Sequence, residues 1–552
     1  MPQNDIIFSM NKKQTVIIVG AGIGGLATAC LLAKKGYAVK VIEKNEQLGG
    51  RARLLKADGF VFDMGPSWYM MPDIFEHFFG LIGERIEDYL KLKKLSPSYR
   101  VFLKSEKKHY DFYSDLEKTI ETFESIEPGS GVVLREYMQT TEYQYQIARD
   151  EFMFKNYDSI FDFFNKRVMQ EGRKLPLFQK VQQIIEKKFK SEILRKVMQY
   201  QTVLLGTSPG DAPGIYSMMN YVDFVQGVWY PEGGIYELIV ALEKIARKHG
   251  VEFMLNAPVS KICVRAKADG GEVSRRAAGD MSAQADGGAL EDISAPNKSP
   301  YAPKAKHEAY GVELGDGTVL QADMVISNAD IAHTDQVLLE APYRQKSPAY
   351  WDSRLMAPSA FILYLGVKGR IPSLEHHNLL FSEHWEENFK QIFKTPEWPT
   401  DPSLYICVPS KTDPTVAPAD TENLFVLVPI AAGLTHDDAL IETYTKKIIE
   451  EISTQMDIPD LAERIIYSKS YAVQDFIKDY NAFKGTALGL AHSLKQTAIF
   501  RPNNIHPKVD KLLYVGAGTN PGIGMPICLI SAELAYKRIH NISDPAPLKT
   551  LE

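Results

Sequence analysis

The chain is poor in cysteine, with four among its 552 residues. They are Cys30, Cys263, Cys407 and Cys528, and no two of them form a C-x-x-C pair. Such scattered positions argue against both a disulfide framework and the common zinc motifs. Few, isolated cysteines are typical of proteins in a reducing cytoplasm, which is the location that we expect.

A strong net charge and long apolar segments are also lacking. Lys and Arg number 63 against 69 Asp and Glu, a formal charge of −6, so nucleic acid is not an expected partner. A run of about 18 uncharged apolar residues, as a membrane-spanning helix requires, is absent. Residues 1–11 have only Ile6-Ile7-Phe8 as an apolar core, too short for an export signal. A peripheral contact with a membrane surface stays open.

A glycine-rich turn near the N-terminus is the strongest motif. An apolar, β-branched run at 15–19 leads into Gly20-x-Gly22-x-x-Gly25 and a helix-forming sequence, and a second strand-like run ends at Glu43. In a βαβ unit of this kind the first glycine makes the turn and the second lets the backbone approach a pyrophosphate. The third lets the helix pack on the strand, and the acidic residue accepts hydrogen bonds from a ribose. The segment therefore predicts a dinucleotide site at a helix N-terminus.

Two further stretches extend this unit. Gly49-Gly50-Arg51 and then Asp63-Met-Gly65-Pro66 follow the acidic residue. A Gly-Gly-Arg turn beside a pyrophosphate adds backbone donors and a fixed cation. A two-domain NAD dehydrogenase has no need of such an extension, so the pattern favours FAD over NAD.

The layout predicts an α/β chain with a discontinuous cofactor domain. A second unit of strand, glycine turn and helix begins near 512, far along the chain from the unit at 15–25. We assign 12–80, 228–335 and 495–545 to a Rossmann-like FAD-binding domain, and 81–227 with 336–494 to an α+β substrate domain that associates with membranes. Within the former, 266–306 holds few large apolar side chains and is interpreted as a flexible insert.

These motifs resemble those of the flavoprotein superfamily of amine oxidases and carotenoid desaturases, and within it the chain is most similar to bacterial-type phytoene desaturases. Matching segments continue at 229–234, 322–330, 496–502 and 514–526, so the resemblance spans nearly the whole chain except 266–306. It implies bound FAD. The cofactor-binding residues that we expect are Gly20, Gly22, Gly25, Glu43, Gly50, Arg51, Val259, Gly516, Gly518, Thr519, Gly524 and Met525.

The C-terminal motif separates branches of this superfamily. Amine-oxidase relatives carry a Gly-Glu or Gly-Asp pair there, whereas this chain has Gly516-Ala-Gly518-Thr519 and then Pro521-Gly522, as the carotenoid branch does. Backbone N–H groups of that turn, opening a helix at about Ile527, are expected to stabilise negative charge on a reduced flavin. A purely structural turn is the alternative. One departure is Asn520, where many carotenoid desaturases have histidine.

The resemblance implies an FAD enzyme that removes hydrogen from a long polyene, converting phytoene to neurosporene or lycopene by successive dehydrogenations. Diapophytoene desaturation, 3,4-desaturation and carotenoid isomerisation stay open. So does an escort protein for prenylated partners, although the intact glycines argue against it. Oxygen or a quinone is the expected electron acceptor. No catalytic base is assigned.

Four charged residues, Glu142, Arg149, Asp150 and Glu151, lie where the family places polar groups near the flavin. Solvated positions on a helix face are their simpler interpretation. His376-His377 is interpreted as a loop pair without a third metal ligand, and no metal site is expected. Tyr221, Trp229 and Tyr230 either line a hydrophobic tunnel or, more simply, belong to the core.

A basic segment at 165–200 offers a membrane contact. It holds ten Lys or Arg against three Glu, and apolar residues recur near helical spacing from Phe178 to Val197. A basic amphipathic helix can lie in an anionic membrane interface, which suits an insoluble substrate. The alternative is a helix whose apolar side packs on the core.

Overall fold

The computed structural model describes residues 13–104, 106, 108–159, 175–176, 179–267 and 305–551. The predicted flexible insert, 266–306, lies outside this range except at its two ends, as do Phe178 and the residues 165–174 of the basic segment. Those two predictions are therefore not addressed by the described residues, apart from the part of the basic segment that follows 178.

Twenty strands occur in the described ranges: β1 Thr15–Val19, β2 Ala38–Ile42, β3 Leu54–Ala57, β4 Phe60–Asp63, β5 Leu92–Lys94, β6 Tyr99–Leu103, β7 Lys108–Phe112, β8 Trp229–Pro231, β9 Glu252–Met254, β10 Val259–Ala266, β11 His307–Leu314, β12 Val319–Gln321, β13 Met324–Ser327, β14 Ser359–Lys368, β15 His377–Phe381, β16 Leu404–Cys407, β17 Thr421–Ile430, β18 Ile465–Tyr471, β19 Val509–Asp510 and β20 Leu512–Tyr514.

The described α-helices of at least eight residues are α1 Ile23–Lys34, α2 Pro72–Leu81, α3 Leu116–Ile126, α4 Ser130–Ile147, α5 Val181–Lys188, α6 Glu192–Gln199, α7 Tyr236–Lys248, α8 Trp385–Phe393, α9 Asp438–Gln455, α10 Val473–Tyr480 and α11 Met525–Ile539. None of the helices in the described part of the chain combines the length and the apolar character needed to cross a bilayer.

A parallel sheet of five strands, in the order β20-β13-β1-β2-β9, carries the N-terminal glycine turn. Strands β1 and β13 are apolar and largely buried, as expected where a parallel sheet is covered on both faces. The five strands come from within all three segments assigned above to the cofactor domain, so this domain is discontinuous. The domain boundaries themselves remain a prediction.

The two faces of this sheet meet different layers, because alternate side chains of a strand point to opposite sides. Val16 and Ile18 of β1 pack with helices α1, α7 and α11. Ile17 and Val19 pack with Ile262 of β10 and other residues of a four-stranded sheet, β10-β11-β12 with β19 beside β11. The result is the helix–sheet–sheet layering of a Rossmann-like FAD-binding domain.

The α+β part is built on a seven-stranded sheet in the order β18-β14-β17-β16-β15-β6-β7. Its neighbours pair antiparallel except for the parallel pair of β15 and β6. Helix α9 covers one face with Ile448 and Ile452. On the other face, Tyr364 packs with Phe60 and Phe62 of β4, which joins this sheet to the cofactor-binding half.

The part of the basic segment that follows 178 forms two short helices, α5 and α6, instead of one continuous amphipathic helix. The chain is extended at Phe189, where α5 ends. The apolar side chains of both helices are buried in one cluster with α3, α4 and strand β6, and they include Val181, Ile185, Phe189, Leu194 and Val197. The expectation of an apolar face free to enter a membrane is therefore wrong for this part, and core packing, the alternative, is observed.

Candidate functional site

The first turn of the site requires glycine at positions 20 and 25. Gly20 has φ +94°, which favours glycine, and its N–H donates to the carbonyl of Ile42 at 2.8 Å. A Cβ at Gly25 would lie 2.2 Å from the carbonyl oxygen of Gly20. Only glycine at position 25 therefore lets helix α1 begin directly against the turn.

The Gly-Gly-Arg turn packs against the second glycine of the motif. Gly49, at φ +109°, bridges to Gly22 and its N–H donates to the carbonyl of Ala21 at 2.8 Å. A Cβ at Gly50 would lie 3.3 Å from the Cα of Gly22. The two backbone turns thus lie side by side, with their amide groups at one end of a cavity.

Arg51 continues that turn and faces the same cavity. Its Nε and Nη2 are buried and have no hydrogen-bond partner among the described residues. A buried guanidinium without a partner is costly unless an anion pairs with it. The pyrophosphate of a dinucleotide, beside Gly22 and Gly50, would supply that anion.

Glu43 is buried at the cavity edge, at the end of β2. Its Oε2 accepts a hydrogen bond from the N–H of Ala21 at 2.9 Å, and Oε1 accepts two from Asn45, at 2.9 and 3.0 Å. These bonds hold the carboxylate in place. A carboxylate has about four acceptor positions, so one remains for a ribose hydroxyl.

Asn328, which the sequence argument did not assign to the site, joins the two glycine turns. Its Nδ2 donates to the carbonyl of Gly20 at 3.2 Å. A Cβ at Gly516 would lie 2.4 Å from its Oδ1, and a Cβ at Gly22 would lie 2.9 Å from its Nδ2. The asparagine therefore explains why both turns carry glycine. In the sequence, the only sign of this role was the position of Asn328 directly after β13.

The C-terminal turn is held from behind by Arg501. The guanidinium is 3% exposed and donates to the carbonyls of Ala517, at 2.6 Å, and Thr519, at 3.0 Å. The hydroxyl of Thr519 donates to the carbonyl of Pro502 at 2.8 Å. Helix α11 then begins at Met525, two residues earlier than expected.

A histidine does reach this turn, although from another segment than expected. His492 Nε2 accepts a hydrogen bond from the N–H of Ile523 at 3.1 Å, and its Nδ1 lies 2.6 Å from the hydroxyl of Tyr216. Burial, with the nearby charge of Arg501, holds the pKa of His492 well below its usual value, so the ring is neutral. Its proton is then on Nδ1, donated to Tyr216, and the pair lines the cavity beside Asn520.

One cavity of about 1460 Å³ joins these parts. Eight of the twelve expected cofactor residues line it, namely Gly20, Gly22, Glu43, Gly50, Arg51, Val259, Gly524 and Met525. The other four, Gly25, Gly516, Gly518 and Thr519, lie behind the wall and shape it. Away from the glycine turns the wall is apolar and aromatic, with Trp68, Tyr200, Phe381, Trp385, Phe389 and Tyr405 among its residues.

The four charged candidates on the helices do not line this cavity. Arg149 donates to Asp150 at 2.8 Å and to Asp73 at 3.4 Å, and Glu142 accepts from Tyr221 at 3.4 Å. Glu151 is 7% exposed, so its interpretation as a solvated charge is wrong. Tyr221, Trp229 and Tyr230 are also absent from the cavity wall, which favours their assignment to the core.

His376 and His377 are not a loop pair. His377 begins β15 opposite Cys407 of β16, and all three residues are buried. A ring nitrogen of each histidine and the Sγ of Cys407 lie within 4.8 Å of one another, a third ligand that spacing along the chain could not reveal. Burial lowers the pKa of His376 to about 3 and raises that of Cys407. Tyr405 links the cluster to the cavity through a 2.8 Å contact with His377.

The residues present fit FAD. Three features lie at one end of the cavity: Arg51, whose buried Nε and Nη2 lack hydrogen-bond partners among the described residues, the backbone turns that only glycine can form, and the held carboxylate. The cavity is larger than the roughly 300–1,000 Å³ of common ligand pockets. The space beyond the glycine turns leaves room for an apolar substrate beside the cofactor.

Comparison with known proteins agrees with this fit. The family of flavin-containing amine oxidoreductases matches residues 23–287 and 304–540. A carotenoid 3,4-desaturase of Haloarcula japonica is 42% identical over 521 residues, which are 94% of this chain and 97% of the relative. A zeta-carotene-forming phytoene desaturase of Myxococcus xanthus is 33% identical over 535 residues, 96% of this chain and 94% of the relative.

Solved structures share the fold at low identity. The crystal structure of an oxidoreductase from Methanosarcina mazei superposes with a TM-score of 0.58 at 17% identity, covering 95% of this chain and all of that one.

The family match and the two desaturase relatives identify this chain as an FAD-dependent oxidoreductase that acts on CH–CH groups. The chain therefore belongs to the flavin-containing amine oxidoreductase family, in the branch that holds the carotenoid desaturases.

Proposed function

We propose that this enzyme introduces double bonds into a long polyene, converting phytoene to neurosporene or lycopene by successive dehydrogenations. The observation that carries the proposal is the continuity of the cavity, which runs from the glycine turns and Arg51 to a wall of aromatic side chains. An extended hydrocarbon gains about 25 cal/mol per Å² on leaving water for such a wall. The relatives named above act on substrates of this class.

The chemistry divides between cofactor and chain. Bound FAD supplies an acceptor for the hydride that leaves the substrate. The chain holds the cofactor's phosphates with Arg51 and the glycine amides, and it excludes water with the aromatic wall. The carboxylates that line the described cavity are Glu43, Asp330 and Asp479. Asp479 accepts from Arg53 and Glu43 from Asn45, so these acids belong to the cofactor end.

Tyr216 and His492 are the polar pair placed to handle the proton. Both line the cavity beside Asn520, at the turn that opens α11. Tyr216 also lies 3.1 Å from the hydroxyl of Thr497, which lines the cavity too, so hydroxyl and imidazole groups form a chain along the cavity wall. We propose that the Tyr216 hydroxyl, oriented by the neutral His492, passes the proton that leaves the substrate to water by way of Thr497, and that the helix charges near 150 take no part.

A second candidate is 3,4-desaturation of a carotenoid that already carries conjugated double bonds. The relative with that printed activity is 42% identical, against 33% for the phytoene desaturase. Diapophytoene desaturation and carotenoid isomerisation use the same class of substrate. Oxygen or a quinone as electron acceptor, and a membrane surface as the source of substrate, complete the proposal.

Pigment analysis tests the proposal. The full chain is expressed in three hosts that accumulate phytoene, lycopene or diapophytoene, each beside the Gly25→Val variant, whose side chain cannot fit against Gly20. New neurosporene or lycopene in the first host supports phytoene desaturation, and a product only in the second supports 3,4-desaturation. Unchanged pigments in all three hosts, with FAD bound to the purified protein, would contradict a role as a polyene desaturase.

A further inference from the structure

The cavity reaches the protein surface at residues 494–500, here called the entrance segment. This segment consists of two 3₁₀ turns, Leu494–Gln496 and Ala498–Phe500. Leu494 is 38% exposed and Phe500 is 57% exposed, yet both line the cavity. Side chains that face both solvent and cavity mark its opening.

Two of the exposed apolar side chains of the described residues lie at the opening. Nine large apolar side chains are exposed in the described part of the chain, and of these only Leu494 and Phe500 line the cavity. Ala498 and Ile499, between them in sequence, line it as well. Hydrocarbon that leaves the cavity here meets an apolar rim before it meets water.

The entrance segment carries one positive charge and no negative one. Lys495 is exposed within the entrance segment, and the segment holds no acidic residue. Tyr216, 3.1 Å from Thr497 of the segment, is followed back along the chain by Gly214, against which Ile184 of α5 packs closely. Ile184 thus joins α5 to the wall that Tyr216 lines, whereas the exposed Lys187 and Lys188 of α5 lie beside the exposed Glu186 and are not part of the cavity wall.

We propose that the entrance segment inserts Leu494 and Phe500 into the surface of an anionic bilayer. This inference rests on the proposed function, because it takes the substrate to be an insoluble polyene. A bilayer fits the rim better than a protein partner does, since two apolar side chains are far from the roughly 800 Å² that a stable protein interface buries on each side. Shallow apolar insertion beside a basic side chain, here Lys495, is the usual pattern of peripheral membrane binding.

Flotation with vesicles of phosphatidylcholine and phosphatidylglycerol tests the proposal. The double variant Leu494→Ser, Phe500→Ser should partition about tenfold less than wild type. The matched control is Val132→Ser, Ile466→Ser, which removes apolar side chains that are 67% and 56% exposed but lie away from the cavity, and it should float like wild type. Lys495→Glu should weaken binding to anionic vesicles, whereas Lys446→Glu should not.

Flavin absorbance per chain and the melting temperature establish that each variant is folded. Equal flotation of wild type and the double variant, equal losses in both double variants, or no flotation of wild type would each overturn the inference. Wild-type enzyme is also assayed with the polyene in detergent micelles, which need no bilayer. If wild type converts the polyene in micelles but the double variant floats like wild type, insertion is wrong and the proposed function is supported. If wild type converts no polyene in micelles, the proposed function is contradicted, and flotation then tests membrane insertion only.

Discussion

The side-chain amide of Asn328 donates a hydrogen bond to the carbonyl oxygen of Gly20 at 3.2 Å. These two residues are 308 positions apart, and their contact joins the strand β13 to the first turn of the cofactor site. The same amide would lie 3.1 Å from a Cβ at Gly25. The turn is thus closed from both sides, by α1 and by the asparagine, and it cannot widen to accept a side chain.

A methyl group at Gly25 should therefore abolish tight FAD binding. Its Cβ would lie 2.2 Å from the carbonyl of Gly20, and that atom is backbone, which cannot yield without moving the turn. We expect Gly25→Ala to raise the dissociation constant for FAD about a hundredfold, since about 3 kcal/mol of strain arises at such a contact. Fluorescence titration of the apoprotein measures it.

The control for this variant is Gly80→Ala in helix α2, where a Cβ would meet nothing within 4 Å. Replacing an exposed helical glycine should stabilise the fold by about 0.5–1 kcal/mol and leave FAD binding unchanged. Normal FAD affinity in the Gly25 variant would show that the turn has more freedom than its geometry allows.

Arg51 should contribute to FAD affinity through charge and through its paired N–H groups. Its Nε and Nη2 lack partners among the described residues, so bound pyrophosphate relieves an unfavourable burial. Arg51→Gln should weaken FAD binding about a hundredfold and Arg51→Lys about tenfold, since lysine keeps the charge but loses the fork. Isothermal titration of FAD checks both. The exposed Arg85→Gln serves as control, and equal affinities in all three variants would contradict the assignment.

The N-terminal part of the site could be predicted from sequence because it is local. Gly20, Gly22, Gly25 and Glu43 lie within one βαβ unit, whose spacing determines their relative positions. The fold class followed from the same unit and from the distant second glycine turn. These are features that short-range geometry imposes on any chain that folds this way.

The remainder depends on contacts between distant segments. Asn328 and His492 reach the turns from other strands and loops. Asn328 lies in the matching segment 322–330, but nothing in the sequence shows that its side chain meets Gly20 and Gly516. Cys407 meets His377 only through the pairing of β15 with β16. The apolar stripe of α5 and α6 predicts that one face of these helices is buried, but the same stripe suits either protein or lipid. The sequence pattern alone therefore could not decide between core packing and membrane contact.

Asp223 should make stability depend on pH. Its Oδ2 accepts from Tyr99 at 2.9 Å, Tyr200 at 3.0 Å and Gln201 at 2.7 Å, while Oδ1 has no partner among the described residues. Burial raises its pKa to about 6, above the ordinary value of about 4. Because the folded pKa is the higher one, its contribution is fully present below about pH 4 and is lost as pH rises through 6.

Asp223→Asn mimics the protonated acid and should remove this dependence. Between about pH 3 and pH 7 the free energy of unfolding of wild type should fall, relative to the variant, by up to about 3 kcal/mol. Thermal unfolding of the holoenzyme across this range measures the difference. The exposed Asp352→Asn is the control, and parallel profiles of wild type and Asp223→Asn would contradict the raised pKa.

The length of the apolar space should select the substrate. Ile392 of α8 lines the cavity together with Trp385 and Phe389 on the same helix. Ile392→Trp adds a large ring to this wall, so it should shorten the space available to a polyene, while Ile392→Val should leave it nearly unchanged. We expect the tryptophan variant to lose kcat/KM about tenfold or more for phytoene and much less for the shorter diapophytoene, because only the longer chain needs the filled volume. The ratio of the two specificity constants, measured in detergent micelles, is the readout. An equal loss for both substrates would contradict the prediction and would place the end of the bound polyene elsewhere in the cavity. A wall that touches only the longer substrate cannot slow the conversion of both equally.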